Sequence, residues 1–441
     1  MKNEDVVIVK LWGKEIGALG YASSETKVAT FEYQDDFVKM EVEVSPLEVP
    51  IRVPRHTFSH ISQRTFRGVP GFIADALPDK FGNQLIDQYF TDQGINSKDI
   101  TTLDRLLYVG KRAMGALEFE PSESFDVNNS ELQLDVKKLS ELAELVISKK
   151  ERFRKKLESS DRATALKLLR IGSSAGGARS KALVAVDKKG NLYDGTVNHD
   201  FKCRYYILKF DSSSNKDRDS SDPKGTPRIE YIYNLIAKKC GINIPDVNYI
   251  ENGDDFHFLI ERFDRVRKKS NDFKMDKVHY VSWCGIAHAH RDEVGAYSYE
   301  QLVMTARELK LGQDSITELF KRAVFNVVGK NQDDHTKNFG FLMNRNAEWS
   351  LSPAFDLTFS YDPEGKWTKV HQIRLNKKQD DFTLQDIIEF GEYCNLKKAK
   401  SKEILDQTVN AFEQFDDLAD EYRVPKELKK TVSGNIRRNI N

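Results

Sequence analysis

Apolar and polar positions alternate in short runs at the start of the chain. VVIVKLW, ATFEYQ and KMEVEVS, all within residues 5–45, predict a small antiparallel sheet. From Phe58 to Leu107 the spacing turns helical, around FIADALPDKFGNQLIDQYF, and Tyr108–Pro121 (YVGKRAMGALEFEP) predicts a Gly-containing loop that enters a strand. Ser122–Ser130 (SESFDVNNS) is polar and turn-rich, which marks a domain boundary. Val136, Leu139, Leu142, Val146 and Ile147 then recur at helical spacing. Ser160–Asp161 predicts the cap of another short helix ending near Leu169.

Residues 165–265 read as strands with a single helix among them. Ala182–Val186, Arg204–Phe210 (RYYILKF) and Phe256–Phe263 (FHFLIERF) have strand composition, and Asp211–Pro223 is a polar loop. Thr226 as N-cap and Pro227 at the first helical position open a helix that buries Ile229, Ile232, Tyr233, Ile236 and Ala237 and stops at Gly241. Beyond Tyr280 the pattern is mostly helical. Ser315 and Glu318 predict a capping box for a core helix carrying Ile316, Leu319, Phe320, Ala323, Val324 and Val327. Trp367–Leu375 resembles a further strand, and Phe382–Val424 predicts two or three helices. The basic residues Lys429, Lys430, Arg437 and Arg438 that follow read as a solvated end, with phosphate contact as the other option.

The densest chemistry lies at Asn331–Asp356, where Asp333, Asp334, His335, Lys337 and Asn338 crowd together. The apolar runs Phe339–Met343 and Trp349–Phe355, joined by the polar Asn344–Glu348, predict a β-hairpin. Its open end sets Asn338 beside Asp356, with Asp333 on the loop before them. Oxygen donors converging in this way suit a hard divalent cation such as Mg²⁺. Of the two adjacent carboxylates, spacing favours Asp333 as a base, leaving Asp334 as a solvated neighbour or a supporting group.

Two further features bear on phosphate. Gly172–Lys181 (GSSAGGARSK) runs into a strand, and its small residues let backbone N–H groups approach an anion. It lacks the GxxxxGK[ST] spacing, and in isolation a flexible hairpin turn is the favoured explanation of it. Lys209, late in RYYILKF, either neutralises phosphate in a cleft or snorkels at a strand end. Glu230 either pairs with that lysine or lies on the surface. The order of these features is the one used for phosphoryl transfer: Gly-rich loop, strand lysine, hinge-like strand, Asp-x₄-Asn, hairpin ending in Asp.

Composition narrows the setting. A length of 441 residues suggests two or three domains. Lys+Arg and Asp+Glu are both 68, so the chain as a whole is not a polyanion binder, although local basic patches remain open. The four cysteines, Cys203, Cys240, Cys284 and Cys394, are scattered without ligand spacing, which argues against zinc and for free thiols in a reducing cytoplasm. The acidic N-terminus lacks a signal-peptide core, and no run approaches a membrane span.

ALPDKFGN (76–83), VGKRAMGALEFEP (109–121), SSAGGARSK (173–181), ERFDR (261–265), DDHTKNF (333–339) and LSPAFD (351–356) together resemble the HipA family, the serine/threonine kinase toxins of bacterial toxin–antitoxin modules. The resemblance implies an α/β (α+β) fold: a bilobal protein-kinase-like core with a mostly helical C-terminal lobe, preceded by a small β-rich module. It implies domains at 1–125, 126–270 and 271–441. Asp333 would be the catalytic Asp, with His335, Lys337 and Asn338 bordering ATP and Asn338 and Asp356 holding Mg²⁺. Lys209 would contact the phosphates, Gly176, Gly177, Ala178, Arg179, Ser180 and Lys181 would form the phosphate loop, and Glu261, Arg262 and Phe263 the adenine hinge. Ser174, or its neighbour Ser173, would be autophosphorylated as an off-switch. The implied substrate is an aminoacyl-tRNA synthetase such as the glutamyl enzyme, and the implied partner a small helix-turn-helix, HipB-like antitoxin that reaches operator DNA. Two readings from other classes stand beside this one: a degenerate kinase fold that only binds a regulator, and a metal-dependent phosphohydrolase.

Overall fold

The computed structural model describes residues 6–22, 27–121, 133–148, 162–173, 179–211, 223–268 and 271–441. The predicted cap at Ser160–Asp161, the boundary near 125 and the polar loop at 212–222 lie outside these residues, as do Ser174, Gly176, Gly177 and Ala178.

The first sheet is antiparallel, in the order β4-β3-β2-β1-β5, formed by β1 (Val6–Leu11), β2 (Lys14–Tyr21), β3 (Ala29–Tyr33), β4 (Arg55–Thr57) and β5 (Leu117–Glu120). Period-two burial of Val7, Val9 and Leu11 in β1 explains why its alternation was readable. KMEVEVS, by contrast, forms no strand. A short helix at Asp35–Val38 leads into turns, Val44 is buried, and the Glu43 carboxylate accepts the Ile51 N–H at 3.0 Å. The sheet edges that KMEVEVS would have needed are taken by β4, which follows it closely in the chain, and by β5, which comes from far along it.

The second sheet runs β7-β6-β8-β10-β9, from β6 (Lys181–Asp187), β7 (Leu192–Asp194), β8 (Cys203–Lys209), β9 (Val247–Asn252) and β10 (Asp255–Glu261). Helices Val136–Ser148 and Arg162–Gly172 cover it with Leu139, Leu142 and Leu168, joined by Phe81 and Leu85 from the Lys80–Asp92 helix. The Thr226–Lys239 helix packs against β10 and buries the predicted apolar stripe. Its cap is Gly225 at φ 91°, one residue before the Thr226 expected from sequence.

A ribbon of β11 (Arg265–Lys268) and β12 (Asn271–Lys277) leads to a three-stranded sheet of β13 (His279–Ser282), β14 (Gly340–Met343) and β15 (Trp349–Leu351). The predicted hairpin is β14–β15, but its second strand is short. Ser352 N–H makes a last bond to Gly340 O at 2.9 Å, Pro353 has no N–H, and Ala354 N–H turns to Asn243 O at 2.8 Å. A one-turn helix at Trp283–Ile286 and six longer ones build the remainder: Tyr299–Glu308, Gln313–Val328, Leu384–Tyr393, Lys398–Phe412, Phe415–Glu421 and Lys426–Asn435.

Three other expectations fail, the last of them in part. The core helix begins at Gln313 with Gly312 as its cap. Glu318, instead of closing a box with Ser315, accepts from Asn243 N–H at 2.9 Å and Arg322 Nε at 3.0 Å. Trp367–Leu375 is irregular, with isolated bridges only at Arg374 and Leu375. The basic end is solvated only in part: Lys430 is exposed, whereas Arg437 pairs with Asp380, Arg438 with Asp416 at 3.3 Å and Lys429 with Asp420 at 2.7 Å.

One large apolar core joins residues of the first sheet, such as Val9 and Phe31, to the helical part, such as Leu319 and Phe325. The seam is tight. A Cβ on Gly71 would lie 2.3 Å from Gly285 O, and one on Gly285 would lie 2.2 Å from Asp75 Oδ2. Cys203, Cys240, Cys284 and Cys394 are buried free thiols. Among the described residues, no helix is long and apolar enough to cross a membrane.

Candidate active site

Two ammoniums stand side by side on the second sheet, because Lys181 of β6 pairs in register with Lys209 of β8. Lys209 is only 8% exposed, and its Nζ donates to Glu230 Oε1 at 2.5 Å and to Asp356 Oδ1. Glu230 projects from the Thr226–Lys239 helix, is 1% exposed, and has Arg179 Nη1 3.6 Å from its other oxygen. The pairing of strand lysine with helix glutamate is therefore present, and the surface position for Glu230 is excluded. Burial pushes the Lys181 ammonium down to about 8, and Lys209 adds to the push. For Lys209, burial acts in the same sense but Asp356 and Glu230 outweigh it, so its pKa is raised. Burial alone would raise the Asp356 carboxyl; Lys209 and Lys181 instead hold it at about 2.

The facing wall is the loop that the Gln313–Val328 helix delivers. The Asp333 side chain is 39% exposed, and His335 Nε2 lies 3.9 Å from it. Asn338 closes the Thr336–Asn338 turn and donates its Nδ2 to Asp333 O at 2.7 Å, which fixes the amide plane and leaves Oδ1 as its oxygen donor. Burial pushes His335 below the ordinary imidazole value, and its Nδ1 has no hydrogen-bond partner. Asp334 is 1% exposed. It accepts from Tyr299 OH at 2.8 Å, His371 Nδ1 at 2.7 Å and Gln372 N–H at 2.7 Å, so a solvated role for it is ruled out.

Both walls face a cleft of about 730 Å³. Its lining includes Arg179, Lys181, Lys209, Glu261, Arg262, Phe263, Asp333, His335, Lys337, Asn338 and Asp356, eleven of the residues singled out from sequence. Ser180 does not line it; it is buried beneath, and its carbonyl accepts Phe210 N–H at 3.1 Å. Ser173 is fully buried and its hydroxyl donates to Arg170 O at 3.2 Å. In the ERFDR segment the charged side chains fasten the hinge to the first module. Asp264 accepts from Arg262 at 2.8 Å, from Arg265 at 2.7 Å and from Gly115 N–H at 2.7 Å. Although burial would raise Asp264, the two arginines hold it well below the usual carboxylate range.

Residues 7–120 match the model of the HipA N-terminal domain, and residues 173–415 match that of the HipA-like C-terminal domain. The chain belongs to the HipA family. It is 26% identical over 194 residues to a Haemophilus influenzae protein named "Putative kinase", covering 37% of this chain and 54% of that one. It is 21% identical over 210 residues to a Sinorhizobium fredii protein named "Putative kinase Y4dM", covering 44% of this chain and 49% of that one. The chain thus spans about half the length of the curated relatives it matches. The HipA chain in a Shewanella oneidensis complex of HipA, HipB and operator DNA superposes with a TM-score of 0.66 over 98% of this chain and 97% of that one. At 16% identity, that likeness establishes the fold alone, a mixed helix and sheet architecture.

The HipA fold also brings residues to the cleft that sequence reasoning left without a role. Arg67, Asp79, Lys80 and Asn83 of the first module line it together with Arg291. Asp79 lies 3.5 Å from Arg291 and 3.7 Å from Lys337. The signal was ALPDKFGN, which contains Asp79 but has no periodicity or spacing that assigns it chemistry. For a divalent cation, the described residues hold no group of three His, Cys, Asp or Glu. Mg²⁺ does not require one, since it takes one or two protein oxygens and fills the rest from phosphates and water. An ionised Asp356 and the Asn338 Oδ1 fit that pattern.

Proposed function

We propose that this chain is an ATP- and Mg²⁺-dependent kinase that phosphorylates a serine or threonine hydroxyl of a protein, acting as the toxin of a toxin–antitoxin module. The observation that carries the reading is the Glu230–Lys209–Asp356 charge chain, buried at Glu230 and Lys209 and open to the cleft at Asp356, standing across that cleft from an equally accessible Asp333. A lysine held between two carboxylates at the edge of a cavity is placed to exchange one of them for a phosphate.

In this reading Lys181, Lys209 and Arg179 take phosphate oxygens, together with residues 176–178 of the Gly-rich loop. Glu261 to Phe263 border the adenine, and His335 and Lys337 border the nucleotide. Asn338 and Asp356 would hold Mg²⁺, which when bound neutralises charge on the phosphates. The acceptor hydroxyl oxygen bonds to the γ-phosphorus as the bond to the bridging oxygen breaks. Asp333 takes the hydroxyl proton, and ADP leaves with the electron pair. The Shewanella HipA assembles with HipB and operator DNA, which supports a HipB-like antitoxin as partner here. Resemblance to the family supports an aminoacyl-tRNA synthetase as substrate. The buried, bonded hydroxyl of Ser173 favours Ser174 as the autophosphorylated residue.

The test incubates the purified chain and Asp333→Ala with γ-labelled ATP and Mg²⁺, with and without cell lysate. Label on the chain or on a lysate protein, absent with the variant, is the expected result. Free phosphate without labelled protein would indicate a hydrolase, and absence of ATP binding a purely regulatory protein.

A further inference from the structure

We propose that Asp334, Tyr299, Asn326 and Asn331 form a positioning network that sets Asp333 and Asp356 in register with each other; the inference rests on the kinase reading and adds residues to it. Asp334 precedes no catalytic contact of its own, yet three donors end on it: Tyr299 OH, His371 Nδ1–H and Gln372 N–H. Behind Tyr299 the chain of bonds continues. Asn326 Nδ2 donates to Tyr299 OH at 3.0 Å, and Asn331 Nδ2 donates to Asn326 Oδ1 at 2.9 Å. The same Asn331 amide reaches the Asp356 carbonyl at 3.4 Å. Backbone bonds close the circuit, with Gln332 N–H to Ser360 O at 3.0 Å and Ser360 N–H to Lys330 O at 3.1 Å.

From Asn331 through Asn326 and Tyr299 each side chain donates to the next and the run ends on the Asp334 carboxylate, a group with acceptors only, while Asn331 also donates to the Asp356 carbonyl. Reversing any one bond would leave two donors or two acceptors facing each other in a buried site, so the network has one consistent arrangement. Tyr299, Asn326, Asn331, Asp334 and His371 are each no more than 2% exposed, so water cannot substitute for a lost partner. His371 presents Nδ1–H to Asp334 because its Nε2 faces the Arg437 guanidinium at 3.4 Å, and Arg437 is in turn held by Asp380. The backbone at Asp333 is thereby fixed from within the core helix. Asn331, which donates to Asn326 of that helix, also bonds the Asp356 carbonyl and so ties the backbone there to the same helix. Phosphoryl transfer needs the base and the metal-side carboxylate at a constant separation, and the circuit is the part of the fold that spans them.

Tyr299→Phe tests this with the smallest lesion, since it removes one oxygen and keeps the ring that packs on Phe339 and Phe390. Asp334→Asn, which replaces an acceptor by a donor, is the stronger second variant. For Tyr299→Phe at an unchanged melting temperature, kcat for phosphoryl transfer from γ-labelled ATP falls about tenfold to a hundredfold. KM for ATP stays within about twofold, as for an interaction that acts on the transition state. Amide hydrogen exchange accelerates in both 331–338 and 354–360, although Tyr299 bonds only to the first. Faster exchange at 331–338 alone, an unchanged kcat, or a KM that rises while kcat holds would each overturn the proposal. If the wild-type chain transfers no phosphoryl group at all, the kinase reading fails, and the exchange pattern still decides whether the two segments are coupled.

Discussion

The two walls of the cleft are held by different physics. On the sheet wall, Lys181, Lys209, Glu230, Asp356 and Arg179 are fixed mainly by charge, most of it buried. On the loop wall, Asp333 and Asn338 are fixed by neutral hydrogen bonds, by the backbone and by the anchored Asp334. Charges packed in this way adjust to an incoming polyanion, since a phosphate can replace Asp356 as the partner of Lys209. Hydrogen bonds of fixed length and direction do not adjust, and they suit a base that must meet a hydroxyl at one distance. The proposed phosphoryl transfer needs both behaviours, and the two walls divide them.

The largest expected effect separates the walls by stability as well as rate. Both Lys209→Met and Asp333→Asn reduce phosphoryl transfer, each by about a hundredfold or more. Only Lys209→Met also lowers the melting temperature, because it leaves Glu230 buried beside a methionine. Removing one partner of a buried pair costs about 3–5 kcal/mol. Asp333, more than a third exposed, strands no buried charge when neutralised, so its variant melts like the wild type. Equal melting temperatures for the two variants would show that the sheet wall is not charge-held.

A smaller effect probes what brings the walls together. The first module docks beside the loop that carries Asp333 and Asn338 through Asp75, which accepts from Ser282 N–H at 2.7 Å and Ser282 Oγ at 2.8 Å, and through the Gly71–Gly285 approach. Gly285→Ala forces the Asp75 carboxylate or the backbone to move, at roughly 1–3 kcal/mol of overpacking. Urea unfolding then shifts its midpoint downward without a change in slope. An unshifted midpoint would mean that the seam yields freely and does not set the cleft.

Legibility in the sequence followed the same division. The β14–β15 hairpin was readable because both runs and the Asn344–Glu348 turn are local, and Lys209 because a lysine interrupts an apolar strand. Glu230 was left ambiguous, since only the approach of a strand 21 residues earlier makes it a partner. Asp334 could not be told from a solvated neighbour: its donors Tyr299 and His371 lie 35 and 37 residues away in opposite directions. KMEVEVS and Trp367–Leu375 had strand-like composition, but a strand needs an unoccupied edge, and edges are a property of the whole fold. The basic end failed in part for the same reason, because Asp380 and Asp416 arrive from elsewhere to claim Arg437 and Arg438.

The smallest effect is a titration confined to the sheet wall. Lys181 is held at about 8, against 10.5 for a free lysine, first by burial and then by Lys209. Its charge is therefore present below pH 8 and lost as the pH rises through that value, whereas Lys209, with its pKa raised, keeps its proton. Since kcat/KM reports the free enzyme, kcat/KM for ATP should fall several-fold between about pH 7.5 and 9. Lys181→Arg, whose guanidinium stays charged, should flatten the profile over that range. Asp356, held near 2, contributes nothing to this limb, so a profile that persists unchanged in Lys181→Arg would assign the titration to a group on the loop wall and reverse the division of labour between the two sides.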